Sequence, residues 1–352
     1  MKKRISGTAA FLFVVLCAAA FFGCQPGGAA PDGTTETAGT GTAATETASV
    51  NTGEQAEKDG CSLRLLQFNI QTENGNPAPF EVRSEMYRKF VDEILPDVVG
   101  MQEVTPRWRR YLDTVVFGDA YDSVGERRSD RSGGEANPIY YRKDRFELVN
   151  SGTFWLSDTP EEVGSRTEGA NAPRVCTWTV LKDKESGTLF AHMNTHLDHR
   201  GKNDAETAAA VREAQAAVLV RFAAQKFADM PLFLTGDLNC GRSDGKGGIT
   251  AVYQMITGGR EVPGEDGTPY RLALADSRFD APVTVDEKHT ATLTKYYGGT
   301  GKGAAREPID YVFYSPAGVE AHSYQTFLIS ENDVWISDHL PVFATFRIQN
   351  AS

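Results

Sequence analysis

An α/β fold is predicted by three observations: short apolar runs that alternate with helical periodicities, polar or acidic residues that close one apolar run after another, and a composition with room for a large core. The chain has 352 residues, 40% of them hydrophobic, with 47 Asp and Glu against 36 Lys and Arg. The apolar fraction excludes a wholly disordered chain, and a mean hydropathy of −0.36 excludes a multi-span membrane protein. The net charge of −11 argues against a partner gripped through many phosphates, because such binding displaces counterions from a basic face. A single basic groove on an acidic protein stays compatible with it.

The N-terminus is a separate matter. Lys2, Lys3 and Arg4 precede an apolar run over residues 9–22 that is too short to span a membrane comfortably, and Gly23-Cys24 follows. Residues 1–24 read as a signal peptide, and Gly23-Cys24 resembles a bacterial lipoprotein cleavage site at which Cys24 carries the lipid. An ordinary secretory peptide or an uncleaved anchor are the alternatives. Residues 25–60 are Gly, Ala, Thr and Glu with almost nothing large and apolar, so burial cannot offset ordering entropy there. They read as a flexible tether, which leaves 61–352 as one domain. The protein is then expected to be exported and lipid-anchored to a bacterial membrane. Cys61, Cys176 and Cys240 are an odd number with no zinc spacing, and their pairing stays open.

Within the domain, Leu63, Leu65 and Ile70 flank a strand, and Val82, Met86, Phe90 and Ile94 at four-residue spacing predict a helix that Pro96 stops. Strands are predicted at 98–101, 138–141, 145–150, 175–181 and 188–195. Ala208, Val211, Gln215, Val218, Leu219 and Phe222 trace one stripe of a helix over about 204–227, with a buried strand at 231–235 after it. Residues 239–310 are Gly-rich with few clear elements and read as loops over a site. Strands at 309–314, 322–328 and 342–346 close the domain.

Chemistry collects where these runs end. Asn69, Glu103, His196, Asp237, Asn239, Asp310, Asp338 and His339 each follow a short apolar run within a few residues. A carboxylate or imidazole there sits at a sheet rim on a rigid backbone, which suits a metal or a proton acceptor. Singly, each also reads as a turn or a strand start. Asp198 and His199 read as a solvated loop pair, and His192 as a buried ring on the same strand face as His196. His289 and His322 stand outside any motif.

The ordered set Phe68-Asn69, Gln102-Glu103-Val104, Asn194-Thr195-His196-Leu197, Thr235-Gly236-Asp237-Leu238-Asn239, Ile309-Asp310-Tyr311 and Ser337-Asp338-His339-Leu340-Pro341 resembles the endonuclease/exonuclease/phosphatase superfamily, which has the fold of the pancreatic deoxyribonuclease. Blocks around Glu135-Ala136-Asn137-Pro138, Gly152-Thr153-Phe154-Trp155 and Pro173-Arg174-Val175-Cys176 are similar to an uncharacterised bacterial branch of it. The chain departs from that branch at Tyr296-Tyr297-Gly298-Gly299, where a Thr-Phe-x-Gly-Phe pattern is expected. The resemblance spans the domain and implies a four-layer αββα sandwich.

It also implies roles. Glu103 is expected to be the main ligand of a divalent cation, Mg²⁺ or Mn²⁺, with Asn69 beside it and Asp338 serving the metal site or His339. Asp237 is expected to orient or deprotonate the attacking water, and Asn239 to hold a phosphate oxygen. His339 would donate to the oxyanion with Asp310 holding its ring, and His196 would be the second phosphate-facing imidazole, paired with Glu135. Arg174 resembles a phosphate-contacting arginine, a strand-edge ion pair being its alternative. The reaction implied is cation-dependent hydrolysis of a phosphoester, possible substrates being nucleic acids, nucleotides, inositol phosphates or sphingomyelin, by a monomer. A non-catalytic lipid-anchored binding protein of the same fold is the rival reading.

Overall fold

The computed structural model describes residues 60–129, 134–199, 205–264, 266–285, 291–294 and 307–350. The predicted signal peptide, Cys24, residues 25–59 of the predicted tether, His289 and Tyr296-Tyr297-Gly298-Gly299 lie outside them.

The elements run β1 (Gly60–Asn69), α1 (Phe80–Ile94), β2 (Val98–Gln102), α2 (Pro106–Tyr111), β3 (Tyr121–Val124), β4 (Ile139–Arg142), β5 (Phe146–Trp155), β6 (Val175–Asp183), β7 (Leu189–His196), α3 (Ala205–Lys226), β8 (Leu232–Asp237) and α4 (Ala251–Thr257). A ribbon of β9 (Val262–Pro263) and β10 (Pro269–Tyr270) follows, then β11 (Ala275–Asp276), α5 (Ser277–Asp280), β12 (Val283–Val285), β13 (Asp310–Tyr314) and β14 (Val319–Thr326). A second ribbon, β15 (Ser330–Glu331) with β16 (Val334–Trp335), precedes β17 (Val342–Gln349). Among the described residues no helix is long and apolar enough to cross a membrane.

Two mixed sheets form. One has the order β12-β14-β17-β1-β2-β4-β3, the other β11-β13-β8-β7-β6-β5. In each, a parallel pair is joined by a helical crossover: β1 to β2 through α1, and β7 to β8 through α3. Alternation along the strands then builds the layers. Leu66, Phe68, Val99 and Met101 face outward onto Tyr87, Phe90 and Val91 of α1. Ala191, Met193, Leu232 and Leu234 face outward onto Ala216, Leu219, Val220 and Ala223 of α3. Between the sheets lie Leu63, Leu65, Val98, Phe190, Phe233, Val312 and Phe346. This is the αββα sandwich.

The inner layer changes character along the strands. Every second residue of β1 reads Leu63, Leu65, Gln67, Asn69, that of β7 reads Phe190, His192, Asn194, His196, and that of β8 reads Phe233, Thr235, Asp237, all buried. One end of the inter-sheet layer is therefore apolar and the other polar, and polar groups sealed between sheets must bond one another. Gly100 makes the close approach possible. A Cβ there would lie 2.2 Å from Thr235 Oγ1 and 2.8 Å from Asn194 Oδ1.

The structure differs from the sequence reading in several places. Val82 is 41% exposed, and its neighbour Arg83 is buried instead. The α1 stripe is Arg83, Met86, Tyr87, Phe90, Val91 and Ile94, because Arg83 exchanges apolar contact for main-chain carbonyls. The helix ends at Leu95, left-handed at φ 44, just before Pro96. The 239–310 stretch holds α4, α5 and short strands as well as loop. The strand predicted at 322–328 runs Val319–Thr326, starting after Gly318 at φ +73. Both β3 and α2 went unpredicted. Cys61, Cys176 and Cys240 are free thiols.

Candidate active site

The polar end of the inter-sheet layer is where β1, β2, β7 and β8 finish and β13 begins. Asn69, His196 and Asp237 are the last residues of their strands, Glu103 follows β2, and Asp310 opens β13. Register alone places Asp310 and His196 on either side of Asp237. His339 arrives from the segment before β17. Its backbone N–H donates to Ser337 Oγ at 3.1 Å, and Ser337 Oγ donates to Asn69 O at 2.7 Å, which ties the segment to the end of β1. Thr292 fastens it from the other side: Leu340 N donates to Thr292 O, and Ile309 N and Asp310 N donate to Thr292 Oγ1 at 3.0 and 3.2 Å.

The side chains then meet. His339 Nδ1 donates to Asp310 Oδ2 at 2.8 Å, and its Nε2 lies 3.7 Å from Asp237 Oδ2 and 3.9 Å from Asp338 Oδ1. His196 Nε2 is 3.4 Å from the same Asp237 oxygen and 2.9 Å from Asn239 Nδ2. Asn69 Nδ2 donates to Asp237 Oδ2 at 2.9 Å and to Glu103 Oε1 at 3.1 Å. Glu103 and Asn239 hold left-handed backbone at φ 60 and 50, a costly conformation for residues with a Cβ and one that clusters at functional sites.

Burial and neighbours set the protons. Burial alone would pull the His339 pKa down, yet the carboxylates of Asp310 and Asp237 outweigh it and hold the ring well above the ordinary histidine value. Burial, and then the Asp310 carboxylate, push Asp237 far above the usual carboxylate range. His196 goes the other way, with burial and then the Arg174 and Arg128 guanidinium groups keeping it well below the ordinary value. The two imidazoles are therefore unlike. His339 is the cationic one, with both ring nitrogens able to donate, and His196 is neutral, its Nε2 placed to accept from Asn239.

Asp237, Asp310 and His339 lie close enough to one another to hold an ion. The 2.8 Å contact between His339 Nδ1 and Asp310 Oδ2 is a shared proton, which suits a hydrogen-bonded pair better than a cation. Glu103 fits a cation better. It makes no ion pair with a cationic side chain among the described residues, its Oε1 and Oε2 accept only from Asn69 Nδ2 and Thr72 N, and it is partly exposed at the rim. The carboxylates of Glu103, Asp237 and Asp338 are hard oxygen donors, which fit Mg²⁺ or Mn²⁺ rather than zinc. Asn69, by contrast, turns its Nδ2 to Glu103 and Asp237 and its Oδ1 to Gln71 N at 3.0 Å, so it orients these carboxylates instead of offering the ligand oxygen expected of it.

One expected pairing is absent. Glu135 binds Arg128 at 2.8 Å rather than His196, whose Nδ1 has no hydrogen-bond partner among the described residues. The physical reason is that the Arg128 guanidinium, permanently charged and rich in donors, satisfies the Glu135 carboxylate directly. Burial raises the Glu135 pKa against the pull of Arg128. Among the described residues Arg174 makes no ion pair, strand-edge or otherwise. It is buried with its Nε unbonded, its NH2 lies 3.3 Å from His199 Nδ1, and burial lowers its pKa. Asp198 is fully buried rather than solvated, accepting from Asn171 N at 2.8 Å, while His192 is buried as predicted and bonded to Thr235 Oγ1.

Several residues join the site with no role read from the sequence. Gln67 and Ser337 stand beside motif residues and Thr292 outside any motif, and their bonds arise only through folding. Arg83 donates to the carbonyls of Ile70, Gln71, Thr72 and Ile336, clamping the segment after Asn69 to the one before Asp338. A basic residue in a helix stripe gives no such signal.

The comparisons agree with this geometry. A model of the Endonuclease/Exonuclease/phosphatase family matches residues 66–339. The chain is 28% identical over 297 residues to Nocturnin of Drosophila melanogaster, an alignment of 74% of this chain and 41% of that protein, so it spans less than half the length of the curated relative. Among solved structures, an endonuclease/exonuclease/phosphatase from Bacteroides vulgatus superposes with a TM-score of 0.68 at 27% identity, covering 82% of this chain and 100% of that one. A mannosyl-6-phosphatase of Bacteroides thetaiotaomicron superposes with a TM-score of 0.63 at 23% identity, covering 81% and 99%. The chain belongs to the endonuclease/exonuclease/phosphatase family, whose members hydrolyse phosphoester bonds.

Proposed function

We propose that this chain hydrolyses a phosphoester with the help of a divalent cation. The observation that carries the reading is Asp237 Oδ2, which lies 3.4 Å from His196, 3.7 Å from His339 and 2.9 Å from Asn69, with Asn69 also bonded to Glu103. One carboxylate oxygen thus faces both imidazoles and, through one amide, the corner suited to a cation.

Asp237 accepts a proton from the attacking water, a task its raised pKa favours near neutral pH. The water oxygen forms the new bond to phosphorus as the bond to the leaving oxygen breaks. His339 donates its Nε2–H to a phosphoryl oxygen as negative charge builds, and Asp310 keeps the Nδ1–H in place. The Asn239 amide, now bonded to His196, turns toward a phosphate oxygen, and Arg174 supplies a buried positive charge with an unused Nε–H. A buried guanidinium with no ion-pair partner at contact distance is costly unless an anion meets it, and phosphate is such an anion. Glu103 and Asp338, oriented beside the Asn69 amide, would hold the cation, which would supply Lewis-acid charge neutralisation.

The substrate class is a phosphoester, and the mannosyl-6-phosphatase likeness and the nuclease members of the superfamily argue for testing monoesters and diesters side by side. Residues 1–24 support an exported, membrane-tethered protein through Cys24. Hydrolysis of bis-p-nitrophenyl phosphate and p-nitrophenyl phosphate, with Mg²⁺, Mn²⁺ or EDTA, tests the reading. Cation-dependent turnover of either, abolished by EDTA, is expected. Failure to turn over these and a panel of nucleotides, inositol phosphates and phospholipids would favour the non-catalytic binding protein.

A further inference from the structure

Behind the site, a chain of buried amides crosses from one sheet to the other, and its direction is fixed by the main chain. Asn194 Nδ2 donates to the backbone carbonyls of Met101 and Pro138 at 2.8 and 3.1 Å, so its Oδ1 must face the other way. That oxygen accepts from Gln102 Nε2 at 2.7 Å and from Thr235 Oγ1 at 3.0 Å. Gln102 Oε1 is thereby turned to Gln67, whose Nε2 donates to it at 2.8 Å and to Asp310 Oδ1 at 3.0 Å. Carbonyls cannot donate, so every amide in the series has one permitted orientation. The series ends with an N–H aimed at the Asp310 carboxylate.

We propose that Gln67 is a positioning residue for catalysis: it clamps Asp310 across the inter-sheet gap so that His339 presents its Nε2 to the reacting phosphate. The inference rests on the function proposed above. Asp310 is held at both oxygens, Oδ1 by Gln67 from β1 and Oδ2 by His339. Without the first bond the carboxylate can rotate about its terminal torsion, and the imidazole bonded to it swings with it. Gln67 is fully buried, its Oε1 has no hydrogen-bond partner among the described residues, and both its N–H groups are used. A residue serving only to fill space would not need an amide there, since an apolar side chain of that size avoids an unpaired buried oxygen. The position also spans the two halves of the site: Asn69 and Glu103 stand on the sheet that carries Gln67, while Asp237 and Asp310 stand on the other.

The test uses the full chain and bis-p-nitrophenyl phosphate at saturating Mg²⁺. Gln67→Leu and the more pliant Gln67→Met remove the donor at nearly constant volume. Both are expected to lower kcat at least tenfold with KM within twofold of wild type and with cooperative thermal unfolding retained. In a His339→Ala background the same substitutions should change the residual rate less than twofold, because the positioned ring is gone. A kcat within twofold of wild type overturns the proposal, as does a fall of equal factor with and without His339. Unfolding of both variants assigns Gln67 a structural role and overturns it too. Absence of turnover of this diester, of p-nitrophenyl phosphate and of the phosphoester panel by the wild-type chain defeats the proposed function itself and this inference with it. Turnover of the monoester alone moves the same comparison to p-nitrophenyl phosphate, and wild-type turnover with indifferent Gln67 variants defeats the inference alone.

Discussion

Asn69 Nδ2 lies 2.9 Å from Asp237 Oδ2, a bond between the last residue of β1 and the last residue of β8, across the gap between the two sheets. The same nitrogen reaches Glu103 Oε1 at 3.1 Å. A single amide therefore joins the oxygen corner suited to a cation with the carboxylate placed to take a proton from water. Asn69→Ala should lower kcat/KM on a phosphoester by about 10- to 100-fold and raise the Mg²⁺ concentration needed for half activity, on the scale of losing an outer-sphere metal partner. Activity titrated against Mg²⁺ checks it, and an unchanged cation requirement would separate Asn69 from the cation corner.

Asp237→Asn and His339→Ala should each remove activity by about 10²–10⁴-fold, the range for a lost acid or base, while the fold persists. Asp237→Asn preserves shape and, through its one amide oxygen, either the bond from Asn69 Nδ2 or that from Asn239 N. Far-UV circular dichroism and thermal unfolding beside the kinetics make the check. Inactivation only through unfolding would remove both residues from the chemistry.

Stability should depend on pH in two opposite ways. His192 is fully buried, and burial lowers its pKa from 6.5 to about 3. Below pH 6.5 the unfolded chain takes up a proton that the folded ring refuses. Stability from this group is thus complete above pH 6.5 and is lost as pH falls toward 3, on the order of 3 kcal/mol between pH 7 and 4. His196 acts in the same direction. His339 has a raised pKa, so its contribution is complete below pH 6.5 and fades as pH climbs through the folded value. Urea midpoints of wild type and His192→Gln across pH 4–9 test this. The variant should lose part of the acid limb and keep the alkaline one, and identical acid limbs would contradict the assignment.

Gly100→Ala should destabilise by about 1–3 kcal/mol or more, the cost of overpacking a closed layer. The added methyl meets Thr235 Oγ1 and Asn194 Oδ1, both committed to buried bonds. Chemical denaturation measures it, and a neutral result would mean that the inter-sheet layer is looser than these contacts require.

The sheet rims were legible because short apolar runs end one after another in Asn, Gln, Glu, His or Asp, and the residues at their ends are those that meet at Asp237. The four layers were not legible from periodicity, since a strand buried on both faces shows no alternation that says which face meets a helix. Arg83 shows why the α1 stripe misled: a buried cation satisfied by four carbonyls looks in sequence like a surface residue. Glu135 is assigned to His196 through family likeness, whereas its partner is Arg128, seven residues away, a local ion pair that the likeness does not carry. The amides of Gln67, Gln102 and Asn194 were visible as polar residues inside strands, but their mutual bonding arises from sheet-to-sheet contact, which no local pattern encodes.

The central claim is that Glu103, Asp237 and His339 act on one phosphorus centre with a cation at Glu103. Its most direct measurement is the rate of bis-p-nitrophenyl phosphate hydrolysis by wild type and Glu103→Gln as Mg²⁺ is titrated into EDTA-treated protein. Wild type should recover full activity with a saturable Mg²⁺ dependence, and Glu103→Gln should need at least tenfold more Mg²⁺ or stay inactive while remaining folded. Turnover that survives EDTA, or a Glu103→Gln titration that overlays the wild-type curve, would contradict the account.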